Sequence, residues 1–209
     1  DEGMTGGPIN ALNSDMLANS DFFTGAFAPE YGNALSGVFD MKMRTGNTKI
    51  REYAIGVSAL GTDITMEGIF SKNTPASYLF NYRYSTLAVL DNAGIVDFNG
   101  VPKYQDLSFK VNVPTTKAGT FSLFGLGGKS TIEQSVTDDD NPDKVWAYAK
   151  YNAGFGVVGL NHLYMFNDKI YLKTSVSLAE NSSGYQEDDL DDTTNVFISA
   201  YTDDLNKTT

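Results

Sequence analysis

Gly125-Leu126-Gly127-Gly128-Lys129-Ser130 gathers the residue types that cradle a phosphate: glycines, a lysine and a hydroxyl. The spacing fails. Leu123 stands five residues before Gly128, where that loop needs its first glycine. The acidic stretch that follows is no amphipathic helix, so no helix N-terminus would face the phosphate. The dinucleotide-binding pattern fails too, because Ser130 holds the third glycine position. His162 is the single histidine, which leaves a Ser-His-Asp triad or a two-histidine metal site without its setting. It reads as a strand residue beside a short turn. The chain has no cysteine, so disulfides and thiolate metal sites are excluded.

Carboxylates cluster twice, at Asp138-Asp139-Asp140-Asn141-Pro142-Asp143 and at Glu187-Asp188-Asp189-Leu190-Asp191-Asp192. Oxygen ligands at this density can hold Ca²⁺, and Asp138, Asp139, Asp140 and Asp143 are the candidates for it. The EF-hand spacing is not met, and Pro142 stands where a flexible loop would be wanted. The plainer reading is solvated, mutually repelling loop charge. No cofactor is expected. The net charge of -11 argues against a nucleic-acid partner, which needs a basic face.

The elements that would position any site are strands. In Tyr104–Val113, Leu107, Phe109, Val111 and Val113 alternate with Asp106, Ser108, Lys110 and Asn112. Period-2 alternation marks a strand with one greasy face and one wet face. Glu52–Ala59, Asp63–Phe70 and Ser77–Ser85 behave alike, with Leu79 the exception in the last. Thr120–Leu126, Val145–Asn161 and Ile170–Leu178 follow, and Asn195–Tyr201 begins an eighth strand. Links at Ser71–Pro75, Pro114–Gly119 and Phe166–Lys169 are short, whereas Leu87–Lys103, Thr131–Lys144 and Glu180–Thr194 are long and polar. Leu60-Gly61-Thr62 breaks that rhythm. Short turns at one rim and long loops at the other are the habit of outer-membrane barrels.

Magnitudes agree. Ten residues at ~3.4 Å, tilted by about 45°, cross roughly 24 Å, close to an apolar band of about 25 Å. No apolar run reaches the ~20 residues of a spanning helix. Glu67, Arg83, Asp106 and Lys110 all fall on the polar face of their strands. That face is assigned to a wet or plugged lumen and the apolar face to lipid. A soluble sheet with one buried apolar face would alternate identically. Asp1-Glu2-Gly3 has no signal-peptide character, as in a mature or truncated chain.

Asp21–Asn47 contains Glu30-Tyr31-Gly32, then small residues, then Ser36-Gly37, then a short strand ending in Arg44. This stretch resembles the C-terminal end of the plug domain of TonB-dependent receptors. Gly6-Gly7-Pro8-Ile9-Asn10 resembles an earlier plug loop of that family. Leu60–Gly68, Asn81–Ser85 and Tyr104–Lys110 resemble the opening barrel strands of the subgroup that carries a carboxypeptidase-regulatory-like domain upstream. The resemblance covers roughly residues 6–130.

It implies an all-β chain. Residues 1–47 would be the C-terminal part of a plug domain, and residues 48–209 the N-terminal strands of an antiparallel transmembrane β-barrel. About seven or eight strands of a barrel of roughly 22 would be present. Such a piece leaves an unpaired edge in lipid, so the sequence is expected to belong to a longer protein, with its TonB-box segment outside this chain. The implied function is outer-membrane active import of a nutrient, either a glycan, a peptide or a metal chelate. No covalent chemistry is implied. The partners would be a TonB-type energising complex, outer-membrane lipid and a surface lipoprotein over the barrel. Glu67, Asn81, Arg83, Asp106 and Lys110 would hold the plug or line the substrate path, and Glu30 and Arg44 would pair with this wall from the plug. Two other readings stand beside it. One is a small outer-membrane barrel of about eight strands used as an adhesin or binding protein. The other is a soluble β-sheet binding domain.

Overall fold

The computed structural model describes residues 13–25, 28, 31, 37–58, 61–95, 100, 102–137, 145–191 and 196–208. Among the described residues the chain is all-β apart from a 3-10 turn at Ser14–Met16 and one short helix, α1 (Thr86–Asn92). Asp21–Thr24 (β1) and Gly37–Asp40 (β2) form a small antiparallel pair. Lys42 braces it, 2.9 Å from Asp21 and 3.2 Å from Asp40. Donation to these two carboxylates holds its ammonium above the ordinary lysine range.

Eight further strands make one antiparallel sheet in which each pairs with the next along the chain. They are β3 (Glu52–Val57), β4 (Gly61–Ile69), β5 (Ser77–Ser85), β6 (Pro102–Pro114), β7 (Thr120–Thr137), β8 (Val145–Asn167), β9 (Ile170–Asp191) and β10 (Val196–Thr208). The turn between β6 and β7 closes on Gly119, whose φ of 79° suits glycine and whose carbonyl accepts the Thr115 N–H.

Register assigns the faces. Glu67 lies opposite Leu79, and Leu79 opposite Lys110. Asn81 lies opposite Ser108, and Arg83 opposite Asp106. These residues share one face, and it is the buried one: Asn81 is 0%, Ser108 3% and Asp106 4% exposed. The other face carries Tyr53, Ile55 and Val57 on β3, Ile64 and Met66 on β4, and Leu107 and Val113 on β6, all exposed. It continues through Leu123, Val158, Leu160, Val176 and Leu178. The usual arrangement is inverted, with polar groups inside and grease outside. Met16, Leu79, Tyr104, Ala147 and Ala149 are the only buried apolar residues among those described. The accessible surface, 14170 Å² for 22.7 kDa, exceeds the ~9,500 Å² that size scaling gives a compact soluble protein.

The exposed face has an ordered layout. Near the short turns it carries ring pairs: Phe70 with Tyr78 at 5.3 Å, Phe121 stacked on His162 at 4.3 Å, and Tyr164 with Phe166 at 4.8 Å. His162 also hydrogen-bonds the Ala118 carbonyl at 2.7 Å, which ties β8 to the neighbouring turn. Beyond the rings come aliphatic side chains. Charged and polar positions follow: Lys129 and Glu133 on β7, Lys150 and Asn152 on β8, Glu180 and Ser182 on β9. Glu133 and Lys150 pair across strands at 2.9 Å.

Two expectations from the sequence need correction. Thr131–Thr137 and Glu180–Asp191, expected in long loops, are strand. Strands β7, β8 and β9 therefore run 18, 23 and 22 residues. That is roughly 60–80 Å at ~3.4 Å per residue, well past the 9–11 residues of one membrane crossing. Where both faces meet water, hydropathy no longer alternates, yet the backbone ladder continues. The Leu87–Lys103 link holds most of α1 and the start of β6. The last strand, expected to begin in Asn195–Tyr201, runs from Val196 to Thr208. The Gly125–Ser130 stretch lies wholly within β7, so it is neither a loop nor a helix entry.

Candidate functional site

The site is the buried polar face of β4–β6 and the segment that lies on it, residues 43–47. Glu67 projects from β4 into this junction. Arg44 donates to both of its carboxylate oxygens, Nη1 and Nη2 each at 2.7 Å. The Asn47 backbone N–H adds a third bond at 2.8 Å. Planar fork-to-fork pairing of this kind fixes direction as well as distance. The hydrogen-bonded carboxylate holds the Arg44 guanidinium above its ordinary range. Arg44 also donates from Nε to the Asp15 carbonyl, and its backbone N–H reaches the Met16 carbonyl at 2.9 Å. A single arginine thus ties the N-terminal segment to itself and to the sheet.

Lys110 makes the second tie. Its ammonium donates to the Met43 carbonyl at 2.7 Å. Gly46 makes the third by close approach: a Cβ built there would stand 2.0 Å from the Tyr78 carbonyl oxygen. Leu79, the apolar exception on the polar face, is 1% exposed and lies beside this contact. It is greasy because the segment covers it.

A second cluster sits further along the same face. Arg83 donates to Asp106 Oδ2 from Nε at 2.9 Å and Nη2 at 2.8 Å. Its guanidinium carbon lies 5.3 Å from the centre of the Tyr104 ring, a cation–π approach. Asn81 Nδ2 donates to Thr65 Oγ1 at 2.8 Å and to Asp63 Oδ2 at 3.2 Å. Asn81 Oδ1 and Asp106 Oδ1 are buried without a hydrogen-bond partner among the described residues.

Among the residues singled out from sequence, Glu67 meets Arg44 and Arg83 meets Asp106, so Glu67 and Arg83 serve separate clusters. Asn81 joins the second cluster through Asp63 and Thr65, and Lys110 the first through Met43. Glu30 lies outside the described residues, as do Asp138, Asp139, Asp140 and Asp143. No group of three or more His, Asp or Glu side chains placed to hold a metal occurs among the described residues. Asp63, Thr65, Tyr104 and Asn47 were missed. The first three share the parity of Glu67 and Asp106 on their strands, a signal present in the sequence. The Asn47 contribution is a backbone N–H and leaves no trace in side-chain pattern.

The Arg83–Asp106 pair supports a direct expectation. Asp106 is nearly sealed from solvent, so truncating Arg83 strands a buried carboxylate. The Arg83→Ala variant is expected to lose roughly 3 kcal/mol of stability, and the Arg83→Ala/Asp106→Ala double variant to recover more than half of it. Equilibrium unfolding of the four members of this cycle measures both.

Comparisons with protein-family models, with curated proteins and with solved structures give no match.

Proposed function

We propose that this chain is part of an outer-membrane transporter of the TonB-dependent type. In this reading residues 1–47 end an internal plug and residues 48–209 open the barrel wall around it. The observation that carries it is the inverted sheet. From the short turns to the level of Leu178, the exposed-face positions on β4 to β9 carry no Asp, Glu, Lys or Arg among the described residues. The buried face carries Asp63, Glu67, Arg83, Asp106 and Lys110 over the same strands. A lipid-facing charge at mid-depth costs ~2–4 kcal/mol, so a membrane would enforce this division. A water-soluble sheet has no reason to bury asparagine, aspartate and serine beneath a bare apolar surface. The rings at the short-turn end suit the interfacial girdle of such barrels.

The role follows from the two faces. The wall holds a polar interior, and Arg44, Gly46 and Asn47 fasten the adjoining segment to it. A pull transmitted by an inner-membrane complex would displace parts of the plug while this junction stays anchored. The cargo would be a nutrient, whether glycan, peptide or metal chelate. A lipoprotein over the surface rim would assist its capture. The chain itself would carry out no covalent chemistry.

The test uses the parent protein in its own cells. Spin labels at Phe109 and Val111 are expected to be relaxed by oxygen dissolved in lipid, and labels at Ser108 and Lys110 to be shielded from it. The opposite pattern sinks the membrane reading. Nutrient accumulation that persists undiminished after collapse of the proton gradient sinks the energised-import reading alone.

A further inference from the structure

Folding splits the second carboxylate cluster between the two faces of β9. Glu187 and Asp189 lie opposite Ala149 and Ala147, and share their face with Tyr185 and its partner Tyr151. Register carries this face down through Asn181, Phe155 and Gly128 to Asp106, so it is the polar interior face. Asp188 lies opposite Tyr148 and Ser199, on the other face. All the β9 carboxylates stand beyond the apolar region, at the rim away from the short turns. Barrels of this type keep their short turns on the periplasmic side, so this rim faces out of the cell.

Three tyrosines cross that rim in a row. The Tyr151 and Tyr185 ring centres are 4.7 Å apart, and those of Tyr185 and Tyr201 5.9 Å. Tyr185 donates its hydroxyl proton to Glu187. Tyr201 is 53% exposed, so the row ends on an open ring. Asp203 stands opposite Tyr185, and Glu187 opposite Tyr201. From Ser130, Ala153, Ser183 and Leu205 to the outer ends of their strands, the interior-face positions hold no Lys, Arg or His among the described residues. No salt bridge joins Glu187, Asp189 or Asp203 to a partner among the described residues.

Acceptors outnumber donors deeper on this face too. Asp189 Oδ1 is buried without a hydrogen-bond partner among the described residues, as are Asn81 Oδ1 and Asp106 Oδ1 further down. Asn81 is 0% and Asp106 4% exposed, so bulk water does not serve them. Asn81 gives its Nδ2 to the Asp63 carboxylate, which can only accept, and that leaves Oδ1 as the atom in need of a donor. Rings and acceptors without cations suit a ligand that brings both positive charge and N–H donors.

We propose that this rim receives a peptide carrying lysine or arginine side chains, with its cations held between the Tyr151–Tyr185–Tyr201 row and the carboxylates of Glu187, Asp189 and Asp203. The inference rests on the transporter reading and selects among its three cargo classes. A side-chain ammonium or guanidinium donates to a carboxylate and is attracted by a tyrosine ring. An enclosed mouth lined by one sign of charge concentrates such cations before contact. A neutral glycan donates hydroxyls but leaves the negative charge unmet. A chelate that encloses its ion in anionic oxygens presents acceptors to acceptors.

The test titrates the purified parent protein in detergent with a labelled lysine-rich peptide and with the same peptide carrying glutamine for each lysine. Fluorescence anisotropy reads the binding. The lysine peptide is expected to bind about tenfold tighter at about 0.01 M ionic strength, and the gap to close near 1 M, where the Debye length falls to ~3 Å. Glu187→Gln/Asp189→Asn/Asp203→Asn should abolish the gap at low salt. Glu180→Gln/Asp188→Asn/Asp204→Asn removes the same charge from the other face and should preserve it. Tyr201→Ala should weaken the lysine peptide about threefold. An unchanged heat-modifiable electrophoretic shift certifies that each variant is folded. Equal affinity for the two peptides overturns the proposal. Equal loss in the two triple variants also overturns it, since that would be general attraction to an acidic chain. Tighter binding of a neutral oligosaccharide or an anionic ferric chelate overturns the peptide and leaves the transporter reading standing. Release of the parent protein into buffer without detergent would defeat the transporter reading itself.

Discussion

An arginine in place of Leu160 is expected to destabilise the parent protein by ~2–4 kcal/mol in lipid, whereas arginine at Asn161, the very next residue, should cost far less. Leu160 lies opposite Leu123 on one side and Val176 on the other, in the middle of the apolar region. It is 46% exposed, so nothing in the protein would repel the new side chain. The cost would come from hydrocarbon alone. Asn161 points to the other face, opposite Ser122 and Ser175, where a guanidinium finds hydroxyls and water. The same pair discriminates the soluble reading. In water, an exposed leucine changed to arginine alters stability by about 0.5 kcal/mol or less. Reversible denaturant unfolding in phospholipid vesicles measures the difference. Equal stabilities for the two variants would remove the membrane from the account.

The second large effect concerns the docked segment. Gly46→Val is expected to lift residues 43–47 off the sheet. The new Cβ would meet the Tyr78 carbonyl oxygen at 2.0 Å and its carbon at 2.6 Å. Both are backbone atoms of a paired strand, so no rotamer change relieves the clash and the segment must move. Its ties would go together: the paired Arg44–Glu67 bonds, the Asn47 N–H to Glu67, and Lys110 to the Met43 carbonyl. Charge-assisted bonds contribute ~1.5–3 kcal/mol each, so roughly 3–5 kcal/mol of docking would be lost after partial rehydration of Glu67. Hydrogen exchange reads this locally. The Arg44 and Asn47 amides are expected to exchange at least about 100-fold faster while the β6–β8 amides keep their protection. Thr45→Val, an exposed neighbour, serves as the control. Unchanged protection at Arg44 would mean that Gly46 does not gate the contact. Where the segment closes a lumen, the same variant should also leak, which planar-bilayer conductance detects.

Side-chain parity was enough to anticipate much of the site. Glu67, Arg83, Asp106 and Lys110 could be put on one face from alternation alone, because a strand turns successive side chains to opposite sides. Pairing was a different matter. Arg44 and Glu67 are separated by β3, the links before and after it and most of β4, and only folding decides whether arginine meets that carboxylate or Asp106.

From its own alternation and turn residues, this chain's sequence determined the strands from Glu52 to Val113, the short turns and the division into a polar and an apolar face. It could not say which face is buried, since a period of two reads the same in either direction. The tertiary structure decided that, by laying residues 43–47 over the polar side and leaving the apolar side uncovered. It also decided how far β7, β8 and β9 extend. Ladder hydrogen bonds between backbones hold those strands together where both faces are wet, and backbone bonding writes nothing into the order of side chains.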